Sequence, residues 1–205
     1  MRHFLRMRDL QRGEIRRLFA RAAQLKRRRR EGQLEDSLTG KTVVLLMEKA
    51  STRTRLSFAA AAFQLGGHAI ELSAGTSQIA RGEPLSDTAR VVSGYADAVV
   101  MRTTTDARLE EFVRWSSIPV INGLTDGGHP VQVLTDLFTV EESIGAVAGK
   151  RIAFVGDGSG NMARSFLEAA PLLDFTLRLG SPPAFRPPPG EVTAAGAHLE
   201  ITGDP

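Results

Sequence analysis

Five consecutive residues, Ser51-Thr52-Arg53-Thr54-Arg55, combine three hydroxyls with two guanidiniums. They follow the apolar run Thr42 to Met47 and open a helical pattern that continues from Arg53 to Leu65. At the carboxyl end of a parallel strand, a helix N-terminus presents free backbone N–H groups and a partial positive charge. Short hydroxyl donors and fixed cations added there replace the hydration that a phosphate dianion loses on binding. An N-cap Ser or Thr beside surface arginines would account for one of these residues and leave the rest unexplained.

A second set of donors follows. Arg102 closes the run Ala96 to Arg102, at the strand end that faces the ligand crevice in open α/β sheets. His129 and Gln132 flank Pro130, a residue suited to the first turn of a helix, and their spacing lets both point to one side of it. Together Arg102, His129 and Gln132 have the donors to polarise one carbonyl oxygen and hold the negative charge that grows there on attack. Ser77 to Pro84 forms a polar, Gly-containing loop between strand and helix. The turn Val155-Gly156-Asp157-Gly158-Ser159-Gly160-Asn161 superficially matches a dinucleotide fingerprint. Its third Gly is misplaced, and Gly180 and Ser181 stand where a ribose-binding acid would close the next strand, which argues against a nicotinamide-dependent oxidoreductase. No metal-ligand spacing is present, so the sequence calls for neither a metal nor a cofactor.

The elements that must position these groups alternate along the chain. Helical stretches near Arg53 to Leu65, Ser86 to Tyr95 and Asp106 to Ser116 separate strand-like runs at Thr42 to Met47, His68 to Leu72, Ala96 to Arg102 and Pro119 to Asn122. That order predicts a parallel sheet with helices on both faces. An amphipathic helix over Asp9 to Glu31 precedes it, stopped by Gly32. After a helix from Val131 to Ile144, the small residues Gly145 to Gly149 suggest a boundary between a domain at 1–145 and a second at 149–205. The second predicts strand Arg151 to Gly156, helix Asn161 to Leu172, strand Asp174 to Leu179, a Pro-rich loop, a short helix and the strand His198 to Ile201. The fold class is therefore α/β, with two doubly wound parallel-sheet domains, the first complete and the second partial.

Composition agrees: of 205 residues, 42% are hydrophobic and 24% charged, a balance that excludes disorder. No Cys is present, which removes disulfides and thiolate chemistry and suits a reducing, cytoplasmic compartment. The apolar runs fall far short of the ~20 residues that cross a bilayer, and the basic start has no apolar core for a secretory signal, although its Arg content leaves a mitochondrial presequence open. Net charge is only +3, and the concentrated cations at Lys26 to Arg30 have no interleaved aromatics. A solvated helix end accounts for them better than a nucleic-acid or membrane partner does.

In order along the chain, Glu48-Lys49-Ala50-Ser51-Thr52-Arg53-Thr54-Arg55, Gly82-Glu83-Pro84 with Asp87-Thr88-Ala89-Arg90, Met101-Arg102-Thr103, Pro119-Val120-Ile121-Asn122-Gly123-Leu124-Thr125-Asp126, His129-Pro130-Val131-Gln132 and Gly156-Asp157 resemble the aspartate/ornithine carbamoyltransferase family. Ser77-Gln78 before Arg81-Gly82-Glu83, Arg102-Thr103 and Asn122 to Asp126 resemble its ornithine branch. The resemblance implies that Ser51, Thr52, Arg53 and Thr54 bind the phosphate of carbamoyl phosphate, and Arg102, His129 and Gln132 its carbamoyl group. It further implies that Gln78 completes the pocket of a neighbouring subunit in a homotrimer with shared active sites, and that Asn161 holds the amino acid. The implied reaction is transfer of the carbamoyl group to the δ-amine of L-ornithine, giving citrulline and phosphate, as in arginine biosynthesis. Val131 replaces the family's usual Cys or Thr, Gly160 replaces a common Asn, and the sequence stops before the family's Asp-x-x-x-Ser-Met-Gly and His-Cys-Leu-Pro segments. Two alternatives stay open: a non-catalytic fragment that binds carbamoyl phosphate, and a carbamoyltransferase with a different amine acceptor.

Overall fold

The computed structural model describes residues 2–203. In chain order the elements are α1 (Arg12–Arg30), β1 (Thr42–Met47), α2 (Thr52–Gln64), β2 (His68–Ser73), α3 (Leu85–Tyr95), β3 (Ala98–Arg102), α4 (Asp106–Trp115), β4 (Val120–Leu124), α5 (Pro130–Ile144), β5 (Arg151–Val155), α6 (Asn161–Leu173), β6 (Thr176–Gly180), α7 (Pro189–Ala195) and β7 (Leu199–Thr202). The chain divides into two compact units, one of residues 1–5 and 18–125 and one of residues 6–17 and 126–205. Among the described residues, no helix is long and apolar enough to cross a membrane.

In the first unit β1 is apolar along nearly its whole length because both of its faces are covered. Successive side chains point to opposite faces. Val44 and Leu46 pack with Leu85, Ala89 and Val92 of α3 and with Leu109 and Phe112 of α4. Leu45 and Met47 lie on the other face with Val100, and Phe58 and Ala59 of α2 close over them. The strands run parallel in the order β2-β1-β3-β4. Beyond β4, Phe4 donates its N–H to the Val120 carbonyl (2.9 Å) and accepts that of Asn122 (2.8 Å), so the N-terminal segment covers this edge of the sheet.

The second unit is a parallel sheet in the order β5-β6-β7. Ala163, Ala169, Ala170 and Leu173 of α6 are buried with Phe175, Leu177 and Leu179. The other face is open along β5, where Arg151, Ala153 and Val155 alternate as exposed residues with Ile152 and Phe154. Helical cover of both faces, expected for a doubly wound sheet, is thus present in the first unit and incomplete in the second.

Glu168 on α6 accepts the Met7 N–H (3.0 Å) and lies 3.6 Å from the Arg8 guanidinium. Burial pushes its carboxyl above the ordinary value, while Arg8, Arg6 and the backbone N–H groups pull the other way. A carboxyl raised in the folded state binds protons that the unfolded chain has released, so its contribution is full at low pH and is lost as pH rises through the folded value. Relative to Glu168→Gln, the parent chain should therefore lose melting temperature progressively as pH climbs above about 4.3, the unfolded Glu value. A parallel pair of melting curves across that range would refute this.

Candidate active site

The loop after β1 turns directly into α2. Ser51 has an extended backbone (φ −157°, ψ 108°), and its Oγ accepts the Thr54 N–H at 3.3 Å, which makes it the N-cap. That bond satisfies one of the helix's free donors and leaves the others of the first turn pointing outward. Thr52 and Arg53 are exposed on this turn, whereas Thr54 faces inward.

Arg102 comes from the next strand. In the ladder it stands opposite Met47, and its carbonyl accepts the Glu48 N–H at 2.9 Å, so the ends of β1 and β3 are side by side. The strand order reverses between these two strands, and ligands of open α/β sheets bind outside the carboxyl ends at that crevice. Arg102 Nη1 donates to Thr54 Oγ1 at 3.3 Å, while its Nε is buried without a hydrogen-bond partner. Burial, and then the neighbouring Arg53 charge, lower the Arg102 pKa. Among the described residues neither Arg53 nor Arg102 has an ion-pair partner. Two adjacent guanidiniums without an ion-pair partner, at a helix N-terminus, have the charge and the donors to hold a doubly charged anion.

Arg55, although part of the same run, is not in this group: it pairs with Glu71 of β2 at 2.6 Å. The five-residue pattern therefore contributes Ser51 to Thr54 here and spends its second arginine on the sheet. Glu48 carries no signal of its own in the sequence beyond its place at the head of a motif. In the structure both of its oxygens accept from Arg108 Nε (2.8 and 2.7 Å), and the Thr103 hydroxyl donates to it as well. Gln78 is exposed on a short 3-10 turn between β2 and α3.

The remaining candidates lie in the second unit. His129 caps the start of α5, half-buried, and donates its backbone N–H to Ser165 Oγ at 2.8 Å, with Pro130 as the first helical residue. Gln132 is exposed, and one N–H of its amide donates to Asp136 one turn along the same helix (2.8 Å), which leaves the second N–H for a ligand. Asn161 is the first residue of α6, after the Gly-rich turn. That turn is internally satisfied: Gly158 N–H goes to Ser181 Oγ, Ser159 N–H to Asp157 Oδ1 and Gly160 N–H to the Asp157 carbonyl. The Ser159 hydroxyl and N–H also hold the Asp157 carboxyl below its usual range. A Cβ at Gly158 would lie 2.9 Å from both Leu179 Cδ2 and the Phe185 carbonyl, so this glycine serves close packing. The N–H groups of the three residues Gly158, Ser159 and Gly160 are thus committed within the protein. Among the described residues no group of three His, Cys, Asp or Glu is placed to hold a metal ion.

Comparisons with known proteins point to one family. Residues 2–142 match the family model for the aspartate/ornithine carbamoyltransferase carbamoyl-P binding domain. The chain is 47% identical to an ornithine carbamoyltransferase of Sorangium cellulosum over 212 aligned positions, covering all of this chain and 68% of that protein. The crystal structure of ornithine carbamoyltransferase from Burkholderia thailandensis superposes with a TM-score of 0.94 at 38% identity, over 100% of this chain and 70% of the other. Aspartate transcarbamoylase from Trypanosoma cruzi, solved with carbamoyl aspartate and phosphate, gives a TM-score of 0.90 at 28% identity, over 98% and 66% of the two chains.

Proposed function

The chain belongs to the aspartate/ornithine carbamoyltransferase family, a family of transferases, and on that premise we propose that it binds carbamoyl phosphate and passes its carbamoyl group to the δ-amine of L-ornithine. One observation carries the first half: Arg53 and Arg102 meet at the α2 N-terminus without a carboxylate partner, beside the hydroxyls of Ser51, Thr52 and Thr54. In this assignment Ser51 to Thr54 hold the phosphate, and Arg102, His129 and Gln132 hold the carbamoyl oxygen. Asn161 holds the amino acid. The family-model match over residues 2–142 supports a carbamoyl-phosphate domain at 1–145. Residues 149–205 are, in this reading, part of the ornithine domain.

The chemistry follows from the groups present. An uncharged δ-amine attacks the carbamoyl carbon, and negative charge accumulates on the carbonyl oxygen of a tetrahedral intermediate. Donors fixed in advance stabilise that charge more than they stabilise the ground state. Collapse of the intermediate breaks the bond to phosphate, and the departing dianion accepts the amine proton. Citrulline and phosphate result.

Acceptor identity rests on the ornithine-type wording of the Gln78 to Glu83 loop and of Asn122 to Asp126, and on the names of the relatives. We further propose a cytoplasmic homotrimer serving arginine biosynthesis, in which the exposed Gln78 loop reaches a neighbouring site. Sedimentation should then report three chains of 22.1 kDa each. Because the chain spans 68% of the relatives' length, a second reading keeps binding without transfer. Calorimetry with carbamoyl phosphate followed by a citrulline assay separates the two. Binding with citrulline production supports the transferase, binding alone supports the second reading, and absence of binding overturns both.

A further inference from the structure

Two like charges held close together need something to keep them there before an anion arrives. Arg102 is on the last residue of β3, and Arg53 on the first turn of α2, so their separation depends on how the ends of β1 and β3 are fixed. Beyond the sheet ladder, a side chain links these ends. Glu48, the first residue after β1, is 9% exposed and is held by Arg108 of α4 through Nε and through Nη2 at 2.6 Å. Its second partner, Thr103, is fully buried, adjoins Arg102 and donates its own N–H to the Leu124 carbonyl at 3.0 Å. Arg108 is tied to its helix start, where its N–H meets Thr105 Oγ1 at 3.2 Å. A carboxylate gripped by a planar, multidentate guanidinium has far less freedom than one held by a single point charge. The loop into Ser51, the residue after Arg102 and the start of α4 thus converge on one carboxylate.

We propose that Glu48 and Arg108 are positioning residues, whose pairing fixes Arg102 relative to the Ser51 to Thr54 turn so that one carbamoyl phosphate meets both. The inference rests on the carbamoyl-phosphate assignment above. Charge alone makes the opposite prediction: Glu48 is an acid near an anion site, and removing its charge should tighten anion binding.

Glu48→Gln and Arg108→Lys, each tested for folding by circular dichroism and thermal melting, are compared with the parent chain by calorimetry with carbamoyl phosphate and with inorganic phosphate. Glu48→Gln should weaken carbamoyl-phosphate binding about tenfold or more, because misplacement of a binding group by a fraction of an ångström is costly. Inorganic phosphate, which does not need Arg102 in register, should change less than about threefold. Arg108→Lys keeps the charge but not the fork and should show the same selective loss. Unchanged or tighter carbamoyl-phosphate binding in Glu48→Gln overturns the inference and leaves the assignment intact. Equal weakening of both ligands, in step with lost thermal stability, makes the pair a structural brace only and also overturns it. A parent chain that binds neither ligand overturns the assignment itself.

Discussion

Replacing Arg102 with alanine is expected to weaken carbamoyl-phosphate binding on the order of 10- to 100-fold, the range for losing a hydrogen bond to a charged group from a partly desolvated site. The guanidinium already touches Thr54 and keeps a buried Nε donor without a partner, so no rearrangement of other protein bonds is needed for it to serve a ligand. Its ligand under the present assignment is the carbamoyl oxygen, and the loss should therefore exceed that for inorganic phosphate. Arg53→Ala should differ in kind, lowering both affinities together because it acts on the phosphate. In any assay with turnover, Arg102→Ala should lower kcat in addition to weakening binding, since its interaction strengthens further as charge develops. Equal losses for both ligands in Arg102→Ala would remove its assignment to the carbamoyl group.

Phe112→Ala should cost about 3–5 kcal/mol of stability. The ring is fully buried where α4 meets the sheet, in one cluster with Val44, Leu46, Leu85 and Leu109, and strands fixed by their ladder cannot close around the vacancy. Against a total of about 5–15 kcal/mol for a typical domain, that is a large fraction. The urea midpoint of the first unit should fall sharply with its m-value unchanged, whereas a shift equivalent to less than about 1 kcal/mol would show that α4 is not packed as described. The effect also reaches the site, because α4 carries Arg108.

Element order was legible because it depends on local pattern. β1 reads as a strand buried on both faces from its run of β-branched and apolar residues, and its observed bounds are those expected. Strand His68 to Leu72 extends one residue further than expected and β3 starts two residues later, at Ala98, since strand ends are set by pairing with neighbours rather than by composition. The candidate anion site was legible too, because a succession of hydroxyls and arginines between a strand and a helix suits little besides an anion. What could not be read was the fate of individual side chains. Arg55 looks like its neighbour Arg53 in sequence, yet its place on the helix turns it to Glu71. Gln132 looks like a free donor, but Asp136 lies one turn away. Glu48 and Arg108 are 60 positions apart, and only the parallel register of β1 and β3 brings them together.

The edge cover formed by residues 3–5 has a temporal side. His3 Nδ1 accepts the Val120 N–H across 117 positions, and Asn122 reaches back to the Leu5 carbonyl over the same span. During translation, these early residues wait until β4 has cleared the ribosome, and until they pair with it β4 offers an open border to any passing strand. Closures of such long range are slow. Fusions that stiffen or occupy the N-terminal segment should therefore lower the yield of soluble chain.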